Sequence, residues 1–199
     1  MLKHSLTNSI ELIGSPGEVC QPITVTGGKQ EIVSLEQKVT QLYELLRVPV
    51  CRYLIGIVGN PGEAEELTQE AFLKLYLFLR DGRAVNDVRA WIFRVAHNLA
   101  VDRQKHTRHE AKLDDEAWTE IVRWLPDAGL NPEEKLLHGE RARRFHSAVG
   151  QLSPQQRQCL MLRAEGFRYR EIAEILNIEI SSVSEFVRRA VKRLTDLCE

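Results

Sequence analysis

The amino-acid sequence predicts an all-α protein made of two small helical domains joined by a linker, the second carrying a helix-turn-helix. Three observations lead there. From Ser34 onward apolar residues recur at spacings of three and four, and no β-type alternation competes with them. Dense turn signals cut that pattern into short segments. A composition with 43% hydrophobic and 28% charged residues suits globular units with buried cores rather than a disordered or membrane chain.

Residues 1–33 are rich in Gly, Ser, Thr and Pro without a sustained period, and read as a flexible N-terminal extension. Ser34-Leu35-Glu36-Gln37 matches a capping box, which predicts a helix from Ser34 to about Val48. Pro49, suited to a first helical position, is expected to open a second helix that stops at Gly59-Asn60-Pro61-Gly62. A third helix is expected from about Glu63 to Leu79, and a fourth from about Asp87 to Lys105, separated by the Asp81-Gly82 turn. Residues 34–105 thus form the first domain.

His106 to Leu130 mixes charge, Trp118, Trp124, Pro126 and Gly129, so residues 106–130 read as an interdomain linker with some local structure. The second domain, residues 131–199, opens at Asn131-Pro132-Glu133-Glu134, an N-cap followed by proline. Ser153-Pro154-Gln155-Gln156 repeats that grammar, and Gly166 ends the helix it starts. Then comes REIAEILNIEISSVSEFVRR, residues 170–189, with Ile172, Ala173 and Leu176 on one face and Asn177 at a turn that needs a left-handed backbone.

Charge and cysteine usage narrow the chemistry. A formal net charge of -1 excludes a uniformly basic coat but permits local basic faces. The four cysteines, Cys20, Cys51, Cys159 and Cys198, lack metal-ligand spacing and read as free thiols in a reducing compartment. Neither a bilayer-length apolar run nor an export signal is visible, so a cytoplasmic location without membrane insertion is expected. The sequence has no phosphate loop, nucleophile–base grouping or zinc-hydrolase motif, hence no catalytic residues, metal or cofactor are assigned. Glu63, Glu65, Glu66 and Glu70, at a helix N-terminus, favour its dipole rather than a cation site.

Three helix faces remain to be explained. In the last helix Val183, Phe186, Val187, Ala190, Val191, Leu194 and Leu197 share an apolar stripe, opposite Ser181, Ser184, Glu185, Arg188, Arg189 and Lys192. Between Ile180 and Leu194, four cations (Arg188, Arg189, Lys192, Arg193) face one anion, Glu185. A recognition helix places its N-terminal residues on base edges and its cations on phosphates, so the second stripe is the candidate duplex-DNA surface. Glu185 either accepts from a cytosine amino group or pairs with Arg188 or Arg189.

In the helix from Asp87, with Val88, Ile92, Val95 and Leu99 as its core seam, Trp91, Arg94, Asn98 and Lys105 lie on one flank. An aromatic beside cations and an amide suits unstacked single-stranded bases; a core tryptophan beside a solvated basic face is the alternative. In the helix from Glu63, Ala64, Leu67, Ala71, Leu75 and Phe78 form the core stripe, and Glu66, Gln69, Leu73, Tyr76 and Leu77 form a second, semi-apolar face. That face fits a helical partner unless the preceding helices cover it.

The order of these parts resembles a bacterial RNA polymerase sigma factor of the extracytoplasmic-function (ECF) subfamily, over residues from about 38 to 197. GEAEELTQEAFLKLY is similar to the family's core-polymerase-binding helix and RAWIFRVAHNLAVDRQ to its promoter-melting helix. LSPQQRQCLMLRAEGFRYREIAEILN with SSVSEFVRRAVKRL is similar to its C-terminal promoter reader.

The resemblance implies that residues 34–105 are region 2-like and 131–199 region 4-like, and that Glu66, Gln69, Leu73 and Leu77 face core polymerase. It also implies that Trp91, Arg94, Asn98 and Lys105 meet the melted −10 element beside the Asp81–Asp87 loop. Ser181, Ser184, Glu185, Arg188, Arg189 and Lys192 would meet the −35 duplex. Core RNA polymerase and promoter DNA are the implied partners, with an anti-sigma factor as a candidate third. Asn177 stands where the family usually has Gly, and Ser184-Glu185-Phe186 replaces a run that usually includes Lys and Arg. An autonomous helix-turn-helix regulator is the alternative function, and an enzyme a distant third.

Overall fold

A computed structural model of the chain describes residues 29–107 and 148–198. Six helices are defined along them: α1 (Lys29–Val58), α2 (Pro61–Arg80), α3 (Val88–Thr107), α4 (Pro154–Ala164), α5 (Tyr169–Leu176) and α6 (Ile180–Cys198). Residues 148–150 are also helical. The expected extension up to residue 28, the linker and the Asn131 helix start lie outside the described residues.

Local chemistry sets most boundaries. Asn60 caps α2, its side chain accepting from the Glu63 amide, with Pro61 behind it. The Asp87 carboxylate accepts from the Ala90 amide at 2.9 Å and starts α3. Ser153 and Gln156 complete a reciprocal capping box on α4. Gly166 leaves that helix at φ 92, and Asn177 ends α5 at φ 53, ψ 51, in the left-handed region the sequence called for.

The first helix departs from expectation. It begins at Lys29 and is already under way at Ser34, so the Ser34 box does not start it, and it continues through Pro49 to Val58. Proline removes the amide that would bond the Leu45 carbonyl. Leu45 is 67% exposed, while Leu42, Leu46, Val50, Tyr53 and Leu54 are buried on both sides of Pro49. Packing along the whole length of α2 outweighs the lost hydrogen bond.

Both domains contribute to one apolar core. Phe93 of α3, fully buried, meets Phe167 edge-on at 4.9 Å between ring centres. Gly56 of α1 leaves room for Met161 of α4: a Cβ there would stand 2.4 Å from the thioether sulfur. Glu165, at the end of α4, bonds Arg52 of α1 and lies 3.8 Å from Arg89 of α3, whose guanidinium also donates to the Glu165 carbonyl. This inter-domain packing changes the expected core of α3. Phe93, Ala96 and Ala100 are buried, whereas Val95 and Leu99 are only half-buried.

Buried polar groups follow the same core. The Tyr53 hydroxyl and His97 Nδ1 are hydrogen-bonded at 3.0 Å, and burial lowers the imidazole pKa to about 4, which keeps it neutral. Cys51 and Cys159 are buried free thiols, both pushed up to about 11 chiefly by burial. No helix among the described residues is long and apolar enough to cross a membrane.

Candidate nucleic-acid interface

The structure sorts the predicted site residues onto three surfaces. On α2, Glu66, Gln69, Leu73 and Leu77 are exposed, Leu73 at 56% and Leu77 at 36%. The opposite face of the helix, from Ala64 through Leu67, Ala71 and Leu75, is buried. Helix α1 does not cover the second face; it runs beside it and leaves a groove of about 260 Å³ lined by Val39, Thr40, Tyr43, Gln69, Leu73 and Tyr76. Tyr76 is half-buried there, with its hydroxyl 3.4 Å from Glu36.

On α3, Arg94, Asn98 and Lys105 are exposed along one flank, and Trp91 is half-buried with its ring 5.4 Å from that of Phe78. Trp91 is thus partly packed against Phe78 and partly open to solvent. The cations of α3 divide. Arg89 turns inward to Glu165 and the Phe167 ring, Arg103 reaches Glu63 at 3.5 Å, and Lys105 makes an exposed pair with Asp102 at 3.1 Å. Arg94 is left as the exposed cation nearest the indole along the helix.

Beside it, Trp91 and Arg94 join Phe78 and the Ala84–Asp87 loop around a cavity of about 370 Å³. Its far wall is Glu171, Glu174 and Ile175 of α5. Sequence periodicity did not reach Phe78, Ala84 or Asn86 as site residues. The loop itself was signalled by the turn at Asp81-Gly82 and by the family resemblance, which set Asp81–Asp87 beside the melted element.

On α6, Val183, Val187 and Ala190 are buried and Phe186 and Leu194 are half-buried, as the stripe required; Val191, at the edge of the stripe, differs and is 49% exposed. Leu197 lies outside the residues with described side chains. Ser181, Ser184, Arg188, Arg189 and Lys192 face solvent together. Glu185 is clamped by its neighbours: Arg188 donates to both carboxylate oxygens at 2.8 and 2.9 Å and Arg189 to one at 2.5 Å. These bonds, Arg188's first, hold the Glu185 carboxyl below its ordinary range. The pairing alternative is thus formed in the free chain, and one carboxylate holds two of the three cations placed to meet phosphates.

Comparison with known proteins identifies this arrangement. Residues 42–110 match the family description Sigma-70 region 2, and residues 142–194 match Sigma-70, region 4. The ECF RNA polymerase sigma factor BldN of Streptomyces coelicolor is 30% identical over 162 residues, covering 79% of this chain and 59% of BldN. The chain belongs to the ECF sigma factors of bacterial RNA polymerase.

A second relative of this sigma factor, SigW of Bacillus subtilis, is 28% identical over 69% of the chain and 76% of its own length. Among solved structures, the sigma factor RpoE bound to the anti-sigma factor NepR, from Bartonella quintana, superposes with a TM-score of 0.56. That alignment has 22% identity and covers 81% of this sigma factor and 96% of RpoE. The likeness extends the assignment to the fold of both helical domains. Only three-fifths of BldN is spanned, so its whole activity does not transfer by similarity alone.

Proposed function

We propose that the chain is a dissociable subunit of bacterial RNA polymerase that directs promoter-specific initiation, with no catalysis of its own and a cytoplasmic site of action. In this reading Glu66, Gln69, Leu73 and Leu77 of α2 bind core polymerase. Trp91, Arg94, Asn98 and Lys105 of α3 take the unpaired −10 strand, where the indole stacks on a base and the cations hold its backbone. Ser181, Ser184, Glu185, Arg188, Arg189 and Lys192 of α6 meet the −35 duplex, hydroxyls and carboxylate toward base edges and cations toward phosphates.

The observation that carries this reading over an autonomous helix-turn-helix regulator is the uncovered face of α2. A regulator that binds DNA alone has no use for Leu73 standing 56% exposed beside an open apolar groove, whereas a subunit that docks on a larger enzyme does. Family membership supports the same choice. RpoE is seen with an anti-sigma factor, and a protein of that kind is a third proposed partner here.

The test is run-off transcription with purified core polymerase on a library of genomic promoter fragments. The expected result is a discrete set of transcripts that require both core and this chain. Tight duplex binding without core, and no core-dependent transcripts, would instead identify an autonomous regulator.

A further inference from the structure

Arg188 is placed and held differently from the other cations of α6. At about 100° per residue, Ser181, Glu185, Arg188 and Lys192 fall within about 60° of one another, opposite buried Val183 and Ala190, whereas Arg189 stands at the edge of that stripe. Helical side chains lean towards the N-terminus of their helix. Arg188 does so: its Nε and Nη2 donate to the two Glu185 carboxylate oxygens at 2.9 and 2.8 Å, which sets the guanidinium back over the turn of Ser184 and Glu185. That turn belongs to the N-terminal part of the helix, the part a recognition helix presents to base edges. Ser181 and Ser184, its exposed neighbours on that side, are short, which leaves Arg188 the longest reach into a groove.

The same bonds decide which donors remain. Two of the guanidinium's five N–H groups go to Glu185, both on the Nε–Nη2 edge. The Nη1–Nη2 edge keeps two parallel N–H groups that no group among the described residues takes, on a side chain 66% exposed. Two parallel donors are what guanine accepts on its major-groove edge, through O6 and N7. Glu185, by contrast, has little acceptor capacity left. Arg189 donates to the oxygen that Arg188 Nη2 already bonds, at 2.5 Å, so three donors converge on a carboxylate with about four lone-pair sites. A carboxylate so occupied weakens a cation meant for phosphate, but it fixes the direction in which a guanidinium points.

We propose that Glu185 is a positioning residue that presents Arg188 to a guanine of the −35 duplex, and that Arg188 is a specificity-determining residue of α6. This rests on the proposed promoter-binding function and moves one of its cations from phosphate to base. A free arginine gives up much side-chain freedom when it reads a base with two bonds, and the Glu185 contact removes part of that freedom before DNA arrives. Such a contact favours guanine over the other bases by about tenfold or more. Lys192, a turn further along the stripe, is left for phosphate.

The test measures promoter affinity of the holoenzyme, assembled from core polymerase and the full chain, on a promoter recovered by run-off transcription and varied across its −35 element. The wild type is expected to prefer a G·C pair at one position, where 7-deazaguanine, which lacks the N7 acceptor, lowers affinity about tenfold. Arg188→Ala should flatten the preference at that position alone and become indifferent to the deaza base. Glu185→Gln, which keeps the size but withdraws the charge, should weaken the preference for the same guanine without shifting it to another base. Lys192→Gln should lower affinity for all −35 sequences alike. Wild-type affinity on the 7-deazaguanine promoter overturns the assignment, even if Glu185→Gln changes the preference, since the carboxylate would then be reading the paired cytosine. A loss in Arg188→Ala that is uniform across −35 sequences overturns it too and makes Arg188 a phosphate contact. If the wild-type chain supports no core-dependent transcription, the promoter-binding reading itself fails, and the guanine assignment with it.

Discussion

Truncation of Leu73 separates a docking face from an ordinary helix surface. Its side chain is 56% exposed, so Leu73→Ala removes few internal contacts, and the stability change should stay within about 0.5 kcal/mol. Complete burial of a leucine side chain is worth about 1.5–3 kcal/mol. Covering the exposed half on core polymerase therefore contributes about 1–1.5 kcal/mol, and Leu73→Ala should weaken holoenzyme formation about tenfold.

Leu73→Glu adds the desolvation of an unpaired carboxylate at the same contact and should abolish measurable binding. The assay is a titration of labelled core polymerase with each variant, alongside circular dichroism and urea unfolding of the free chain. Wild-type affinity in both variants would refute the docking role of α2. A loss of affinity matched by a loss of helicity or stability would show that Leu73 holds the fold instead.

Other consequences follow from the same structure. His97 is neutral and buried with a pKa of about 4, below the 6.5 of an accessible imidazole, so the unfolded chain takes up the proton first. Stability should therefore fall as pH drops from about 6.5 to 4, by up to about 3 kcal/mol from this group. In paired urea titrations the stability advantage of wild type over His97→Gln should shrink across that window, and a constant difference would refute a buried neutral imidazole. Lys192→Glu should weaken −35-dependent transcription by a similar factor across promoter sequences and reduce the salt slope of binding, since its role is phosphate contact; unchanged activity would place Lys192 away from DNA. Glu185→Gln frees Arg188 and Arg189 from their clamp. A changed base preference at one −35 position is expected if the carboxylate is handed to DNA on binding, whereas a uniform gain in affinity with unchanged preference would assign it to cation pairing alone.

The elements legible in the sequence are those whose boundaries are written locally. Asn60, Asp87, Ser153, Gly166 and Asn177 each end or start a helix through a bond or a backbone angle of their own, and each lies at or within a few residues of a boundary the sequence marked. The exposed faces of α2, α3 and α6 were legible for a related reason: helical period places residues on a face without regard to what packs opposite. What failed depends on distant partners. Pro49 looked like a helix start because its neighbours in sequence do not reveal the α2 surface that holds α1 together on both sides of it.

Phe93 and Arg89 were hidden likewise. Nothing within α3 signals that Phe167 and Glu165, more than seventy residues away, bury the one and neutralise the other. Glu185 lay between these cases. Its spacing allowed both a base contact and an ion pair, and the side-chain geometry shows the pair formed in the free chain.

The most direct measurement of the central claim is a footprint on a promoter recovered by transcription, read in parallel by duplex protection and by permanganate reactivity of unpaired thymines. With core polymerase present, the chain is expected to protect a −35 duplex and to expose reactive thymines at −10, about 25 base pairs away, and Trp91→Ala should diminish that reactivity. The chain alone should give neither signal. Equal duplex protection with and without core, and no reactive thymines in either case, would contradict the account.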